Sequence, residues 1–118
     1  MGERIAEDFL VNKGYSVLDR NYKKRYGEID LIAKDGKDLV FVEVKTRSNR
    51  NIQNFLPEQS VNRLKMRKLQ KICEVYLAEK RYGPHQRWQI DIIAISLDTE
   101  TKKANIRHIE NAVWEQRY

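Results

Sequence analysis

A chain of 118 residues is long enough for one domain and short of two ordinary ones. Its 41% hydrophobic and 34% charged residues suit a single core under a soluble surface, and no apolar run nears the ~20 residues of a membrane span. The net charge of +6 favours an anionic partner and counts against a basic one. Glu3, Glu7 and Asp8 argue against a secretory signal or transit peptide, and the lone Cys73 fits a reducing cytoplasm.

In chain order, residues 3–13 predict a helix, with Ile5, Ala6, Phe9 and Leu10 at helical spacing and Gly14 as its stop. Tyr15 to Asn21 reads as a short strand. Glu28 to Ala33 and Leu39 to Lys45 are β-prone runs either side of Lys34-Asp35-Gly36-Lys37, and Asp-Gly between apolar runs signals a hairpin. Residues 47–56 are polar and irregular. A long helix is expected from Pro57 to about Arg81, with Val61, Leu64, Leu69, Ile72, Cys73 and Tyr76 inward and Gly83-Pro84 ending it. Trp88 to Ile95 and Ala104 to Ile109 complete the strands. No repeat or composition break divides the chain, so residues 1–118 form one α/β domain, a mixed sheet flanked by helices.

The hairpin carries the chemistry. With a two-residue loop at Asp35-Gly36, Lys34 faces Lys37, Asp30 faces Phe41 and Glu28 faces Glu43. The period of two puts Glu28, Asp30, Glu43 and Lys45 on one face, with Ile32, Leu39 and Phe41. Ile29, Leu31, Ala33, Val40, Val42 and Val44 take the other. Asp30 and Glu43 then sit diagonally, roughly 7–8 Å apart along paired strands, within reach of one ion. Crowded acids on a half-covered face shift a pKa or bind a cation, and Lys45 is one positive charge against three acids. Hard oxygen ligands suit Mg²⁺ or Mn²⁺. The alternative is an amphipathic hairpin whose charges form weak surface ion pairs.

Twelve of the 23 basic residues lie in three acid-free stretches: Arg20, Lys23, Lys24 and Arg25; Lys45, Arg47 and Arg50; Arg63, Lys65, Arg67, Lys68 and Lys71. A solvated basic face and a phosphate-binding surface fit equally well. On the long helix Lys65 and Lys68 fall near the inward side, as snorkelling lysines or as lysines reaching the acids. His85 and His108 have no metal-ligand spacing, and Trp88 and Trp114 read as packing residues.

Gly27-Glu28-Ile29-Asp30-Leu31-Ile32-Ala33, followed by Phe41-Val42-Glu43-Val44-Lys45-Thr46-Arg47, resembles the core of the PD-(D/E)xK nucleases. Within that superfamily the chain resembles the YraN family of small bacterial proteins, which are related to archaeal Holliday junction resolvases. The likeness runs from Gly2-Glu3-Arg4-Ile5-Ala6 through Asp91-Ile92-Ile93-Ala94-Ile95 to His108-Ile109-Glu110-Asn111-Ala112. It departs in lacking the proline of the superfamily's name and in placing Gln59 where an acid is expected.

The resemblance implies a restriction-endonuclease-like core and a metal-dependent endonuclease acting on nucleic acid, DNA favoured, branched or damaged structures included. It implies Asp30, Glu43 and the Val44 carbonyl as ligands for Mg²⁺ or Mn²⁺; a second ion would need Glu3 or Glu28. Lys45 would orient water or stabilise charge on the phosphate, Glu3 would join the catalytic set, and Lys65 would reach the phosphate. Resolvases act as dimers, so a homodimer is implied too, although no dimer stripe stands out. A nucleic-acid-binding protein without catalysis is the alternative.

Overall fold

The computed structural model describes residues 2–48 and 63–112. Its elements are α1 (Gly2–Asn12), β1 (Ser16–Lys24), β2 (Gly27–Asp35), β3 (Asp38–Ser48), α2 (Arg63–Glu79), β4 (Trp88–Asp98) and β5 (Lys103–Ile109). This is the α/β order expected, with strands one to four residues longer where the ladder extends into polar ends. The expected start at Pro57, with Val61, Gln59, Arg50 and Trp114, lies outside the described residues. Among those described, no helix is long and apolar enough to cross a membrane.

The five strands lie in sequential order. Neighbours are antiparallel except β3 and β4, which run parallel from Leu39↔Trp88 to Ser48↔Leu97. A parallel pair needs a crossover, and α2 lies within it. Two cores result, one on each face of the sheet. Against α1 lie Ala6, Leu10, Leu31, Ala33, Val40, Val42, Ile93 and Ile95. Against α2 lie Ile29, Ile32, Leu39, Phe41, Leu69, Ile72, Cys73, Tyr76, Ile90 and Ile92. Both central strands are therefore apolar on both sides, as a sheet covered twice requires. Cys73 is buried, and burial pushes its thiol up.

Both helix ends differ in chemistry. Gly14 (φ 98°) closes α1: Tyr15 N–H donates to the Leu10 carbonyl and Gly14 N–H to that of Val11, a Schellman cap. The same pair of bonds closes α2, from Tyr82 to Leu77 and from Arg81 to Ala78. Its left-handed residue is Arg81 (φ 61°), so Gly83-Pro84 is not the stop; the helix ends at Glu79, four residues before Gly83. Leu64, expected inward, is 62% exposed at the first turn of α2, while Met66 is buried instead.

The hairpin register also differs from expectation. Asp35 pairs with Asp38, so the loop is Gly36-Lys37, and Leu31 pairs with Val42. Only Gly36 (φ 64°) has positive φ there, the pattern of a type II′ turn with glycine first; an Asp35-Gly36 type I′ loop needs two such residues. The two-residue slip keeps side-chain parity but moves Asp30, rather than Glu28, opposite Glu43. The repulsive Glu28–Glu43 pair is thereby avoided.

Parity itself fails at one point. Ile29 packs with the α2 core and Leu31 with the α1 core, although two residues apart they should share a face. The break coincides with Asn21 (φ 50°) on β1, whose register runs Arg20↔Leu31 and then Tyr22↔Ile29. Asn tolerates the left-handed region, and the crossing leaves Asp30 at the point where the strand turns over.

Gly27 opens this segment with φ 155°, and a Cβ there would lie 2.9 Å from Ile72 Cδ1. Gly27→Ala combines a strained backbone with a core clash. It is expected to cost about 1–3 kcal/mol, read as a lower urea midpoint at unchanged slope.

Candidate functional site

Asp30 and Glu43 are among only three buried polar or charged residues described, 7% and 8% exposed. The Asp30 carboxylate Oδ2 accepts the Val44 N–H at 2.7 Å. A side-chain hydrogen bond links Asp30 to Glu43. The reason is local: the β2–β3 register runs only from Asp35↔Asp38 to Leu31↔Val42, and the carboxylate takes over as partner of the next outward N–H. On β3 the alternation is uninterrupted, so Glu43 follows Phe41 towards α2.

Two lysines meet Glu43. Lys65 Nζ, from the first turn of α2, stands 3.2 Å from Oε2, and Lys45 Nζ stands 4.0 Å away. Lys65 is thus the nearer partner. The expectation of one ammonium against three acids is corrected to two against two. That balance removes the argument that a divalent ion is needed to relieve crowding.

The electrostatics are asymmetric. Burial, then the hydrogen bond to Glu43, pushes Asp30 up to about 8; the charges of Glu43 and Glu3 add to this, and the Val44 N–H opposes it. Burial lowers Lys45, with Lys65 pushing the same way and Glu43 opposing. For Lys65 burial also acts downward, but contact with Lys45 and the Glu43 charge outweigh it and hold the ammonium above its ordinary value. Of the two lysines, Lys45 therefore releases its proton first.

Glu3 lies exposed on the first turn of α1, whose start is pressed against the end of β3: a Cβ on Gly2 would collide with the Thr46 side chain. Its charge is felt by Asp30, but it borders a different hollow, with Arg4, Glu7 and Arg20. Glu28 is half-buried and lines a cleft with Glu43 and Lys65. Among the described residues no three of His, Cys, Asp and Glu gather closely enough to hold a metal. Asp30 and Glu43 are brought together, while Glu3 and Glu28 do not complete a three-acid cluster. The donors suit Mg²⁺ or Mn²⁺, which is held by one or two carboxylates and keeps several waters.

The basic residues divide. Arg20 makes a two-bond pair with Glu7, Nε to Oε1 at 2.7 Å, and Lys24 pairs with Glu79 at 2.7 Å. Those two already hold acids. Lys23 and Arg25 are exposed at the β1–β2 end, Arg47 donates to the Thr46 carbonyl, and Arg63, Arg67, Lys68 and Lys71 are exposed on α2.

One buried cluster was not foreseen. Asp91 is fully buried on β4, and its Oδ2 lies 2.6 Å from His108 Nε2 on β5. Its Oδ1 accepts Gln89 Nε2 at 2.8 Å and the Asn111 N–H at 2.9 Å. Lys13 Nζ lies 2.8 Å from His108 Nδ1; an ammonium only donates, so the ring carries its proton on Nε2. Burial, with the Asp91 charge, pushes the Tyr15 hydroxyl up to about 12. A lone acid in the apolar run Ile90 to Ile95 was the available signal. This cluster lies on the α1 face, with Tyr15 and Phe9 edge-on to the imidazole.

A mixed five-stranded sheet between two helices, with a buried carboxyl pair facing two lysines, defines the class: an α/β domain with an acid–lysine site on its central hairpin. The profile of UPF0102, an uncharacterised protein family, matches residues 2–95, and the chain belongs to that family, as its likeness to YraN proteins implied. A UPF0102 protein of Caldanaerobacter subterraneus is 42% identical over 113 residues, covering 95% of this chain and 90% of the relative. One from Dictyoglomus turgidum is 39% identical over 112 residues, covering 95% and 92%. Among solved structures, an fdxN element excision controlling factor protein of Anabaena variabilis overlaps 92% of this chain and 97% of its own, at 10% identity and TM-score 0.40. A XisH family protein of Nostoc punctiforme overlaps 92% and 98% at 10% identity and TM-score 0.38. Overlap at this level carries no function across.

Proposed function

We propose that this protein is a metal-dependent endonuclease of PD-(D/E)xK type, hydrolysing phosphodiester bonds in nucleic acid, with DNA the favoured substrate. The observation that carries the proposal is the shared, buried position of Asp30 and Glu43 with two lysines of unequal proton affinity. Asp30 Oδ2 is held by the Val44 N–H, which leaves Oδ1 and the Glu43 carboxylate to hold Mg²⁺ or Mn²⁺, with the Val44 carbonyl as a third donor. Such an ion supplies a more acidic water and neutralises phosphate charge.

The chain's own groups divide the remaining work. Lys45 Nζ, held beside Glu43 at the edge of the buried pair, orients the attacking water and stabilises the charge that develops on the phosphate. Lys65 stays an ammonium and offers fixed positive charge at the scissile phosphate. Exposed Arg67, Lys68 and Lys71 bind backbone phosphates without reading sequence.

Incubation of the full chain with single-stranded, duplex, nicked and branched DNA, and RNA counterparts, tests this. Cleavage is expected with Mn²⁺ or Mg²⁺ and none with EDTA; no cleavage of any substrate with either metal sinks the enzyme. The even balance of two acids and two lysines favours the rival, a nucleic-acid-binding protein that cleaves nothing. It predicts salt-sensitive binding that Asp30→Ala and Glu43→Ala leave intact.

A further inference from the structure

We propose that the cleft beside Glu43 seats one unstacked nucleotide base, so that the preferred nucleic acid carries an unpaired residue next to the phosphate at the acid–lysine site. This rests on the hydrolase reading for where the phosphate lies, and names the class of substrate that site takes.

The cleft holds ≈ 380 Å³ between the β1–β2 turn and the first turns of α2. That is the low end of the roughly 300–1,000 Å³ of small-ligand pockets, suited to one nucleoside and far too small for a duplex. Its walls combine two chemistries. Tyr26 and Leu64, with Leu69 and Ile72 behind them, are apolar, while Lys65 and Lys68 line the helix side and Glu28 and Glu43 the strand side. Four large hydrophobics are exposed among the described residues, and two of them, Tyr26 at 43% and Leu64 at 62%, converge here from positions far apart in sequence.

Lys71 Nζ stands over the Tyr26 ring at 5.6 Å, so the ring is already flanked by a cation. An aromatic ring beside lysines is how proteins bind single strands: the ring stacks on a base and the ammonium groups track the phosphates. Glu28, half-buried at the strand side, can accept a hydrogen bond from a base amino group. Charge complementarity and continuity with Glu43 select a nucleotide over an apolar side chain of a protein partner. Bases in an intact duplex are stacked inward and cannot enter, whereas an unpaired or flipped base can.

The test uses the full chain in EDTA, where no cleavage occurs, and short strands carrying one 2-aminopurine, deoxy and ribo, either single or fully paired. The single strand is expected to bind at least about tenfold more tightly than the duplex, with a fluorescence change on binding. Tyr26→Ala and Leu64→Ser should each weaken single-strand binding about tenfold and leave duplex binding and the melting temperature unchanged. Lys68→Ala should weaken both forms alike. A preference shown by either sugar supports the cleft, and the stronger of the two identifies the sugar. Equal binding of single and paired strands, or equal loss in both forms for the Tyr26 and Leu64 variants, overturns it. Because no metal is present, failure here is separate from failure of the cleavage assay, which would sink hydrolysis but leave base capture standing.

Discussion

Asp30→Asn is expected to abolish metal-dependent cleavage while making the metal-free protein more stable. The loss should be at least about 10³-fold, since the variant removes a ligand and the charge it provides. The gain follows from burial. In the folded protein Asp30 is pushed up to about 8, while in the unfolded chain it ionises as an ordinary carboxyl. Folding therefore favours the protonated group. The stability this gives is complete below the ordinary carboxylate range and is lost as pH rises through about 8. An asparagine keeps the acceptor for the Val44 N–H, offers Glu43 a donor, and never ionises.

At about pH 8 the variant should gain on the order of 2 kcal/mol. Thermal melts across the pH range check this. Wild type should lose stability between about pH 5 and pH 8, and Asp30→Asn should lose less. Added Mn²⁺ should raise the wild-type melting temperature more at high pH than at low, because the metal must displace the proton. A wild-type curve flat across that range, or an equal loss in the variant, removes the stated role of burial. Lys45→Ala and Glu43→Gln should both lose cleavage without this gain. If Lys45→Ala cuts as fast as wild type, Lys45 neither orients the water nor stabilises the phosphate.

The candidate site was largely legible because β3 is regular. Val40 and Val42 face α1 while Phe41 and Glu43 face α2, so a period of two places Glu43 and Lys45 correctly whatever the loop does. The loop was misjudged because an Asp-Gly pair fits two turn types, and only the φ values of Gly36 and its neighbours decide between them. Ile29 was placed on the wrong face for a tertiary reason. The crossing depends on a left-handed Asn21 paired across the sheet, and nothing local to Ile29 announces it. Lys65 was legible as a candidate because helical spacing brought it to the inward edge; that it stands closer to Glu43 than Lys45 does depends on how α2 docks. The basic clusters were legible as charge but not as free charge, since Glu7 and Glu79, far along the chain, hold Arg20 and Lys24.

Asp91→Ala is expected to be the most destabilising single change away from the acid–lysine site. The carboxylate is fully buried and holds three separate pieces: the Gln89 amide on its own strand, the His108 ring on β5, and the Asn111 N–H beyond β5. Truncation leaves all three half-buried groups without their partner, and strands the Lys13–His108 contact behind them. Breaking such a network costs about 3–5 kcal/mol, a fifth or more of the roughly 5–15 kcal/mol a domain has to lose. Asp91→Asn keeps one acceptor and one face of the network, and should cost about half as much, because its amide turns a donor towards one of the three donors. His108→Ala removes a single partner and should fall between the asparagine variant and wild type. Urea unfolding of the three variants gives the order directly. If Asp91→Ala unfolds at the wild-type midpoint, β5 is not held by this carboxylate, and the tie must come from the backbone ladder between Ile92 and Asp98 alone.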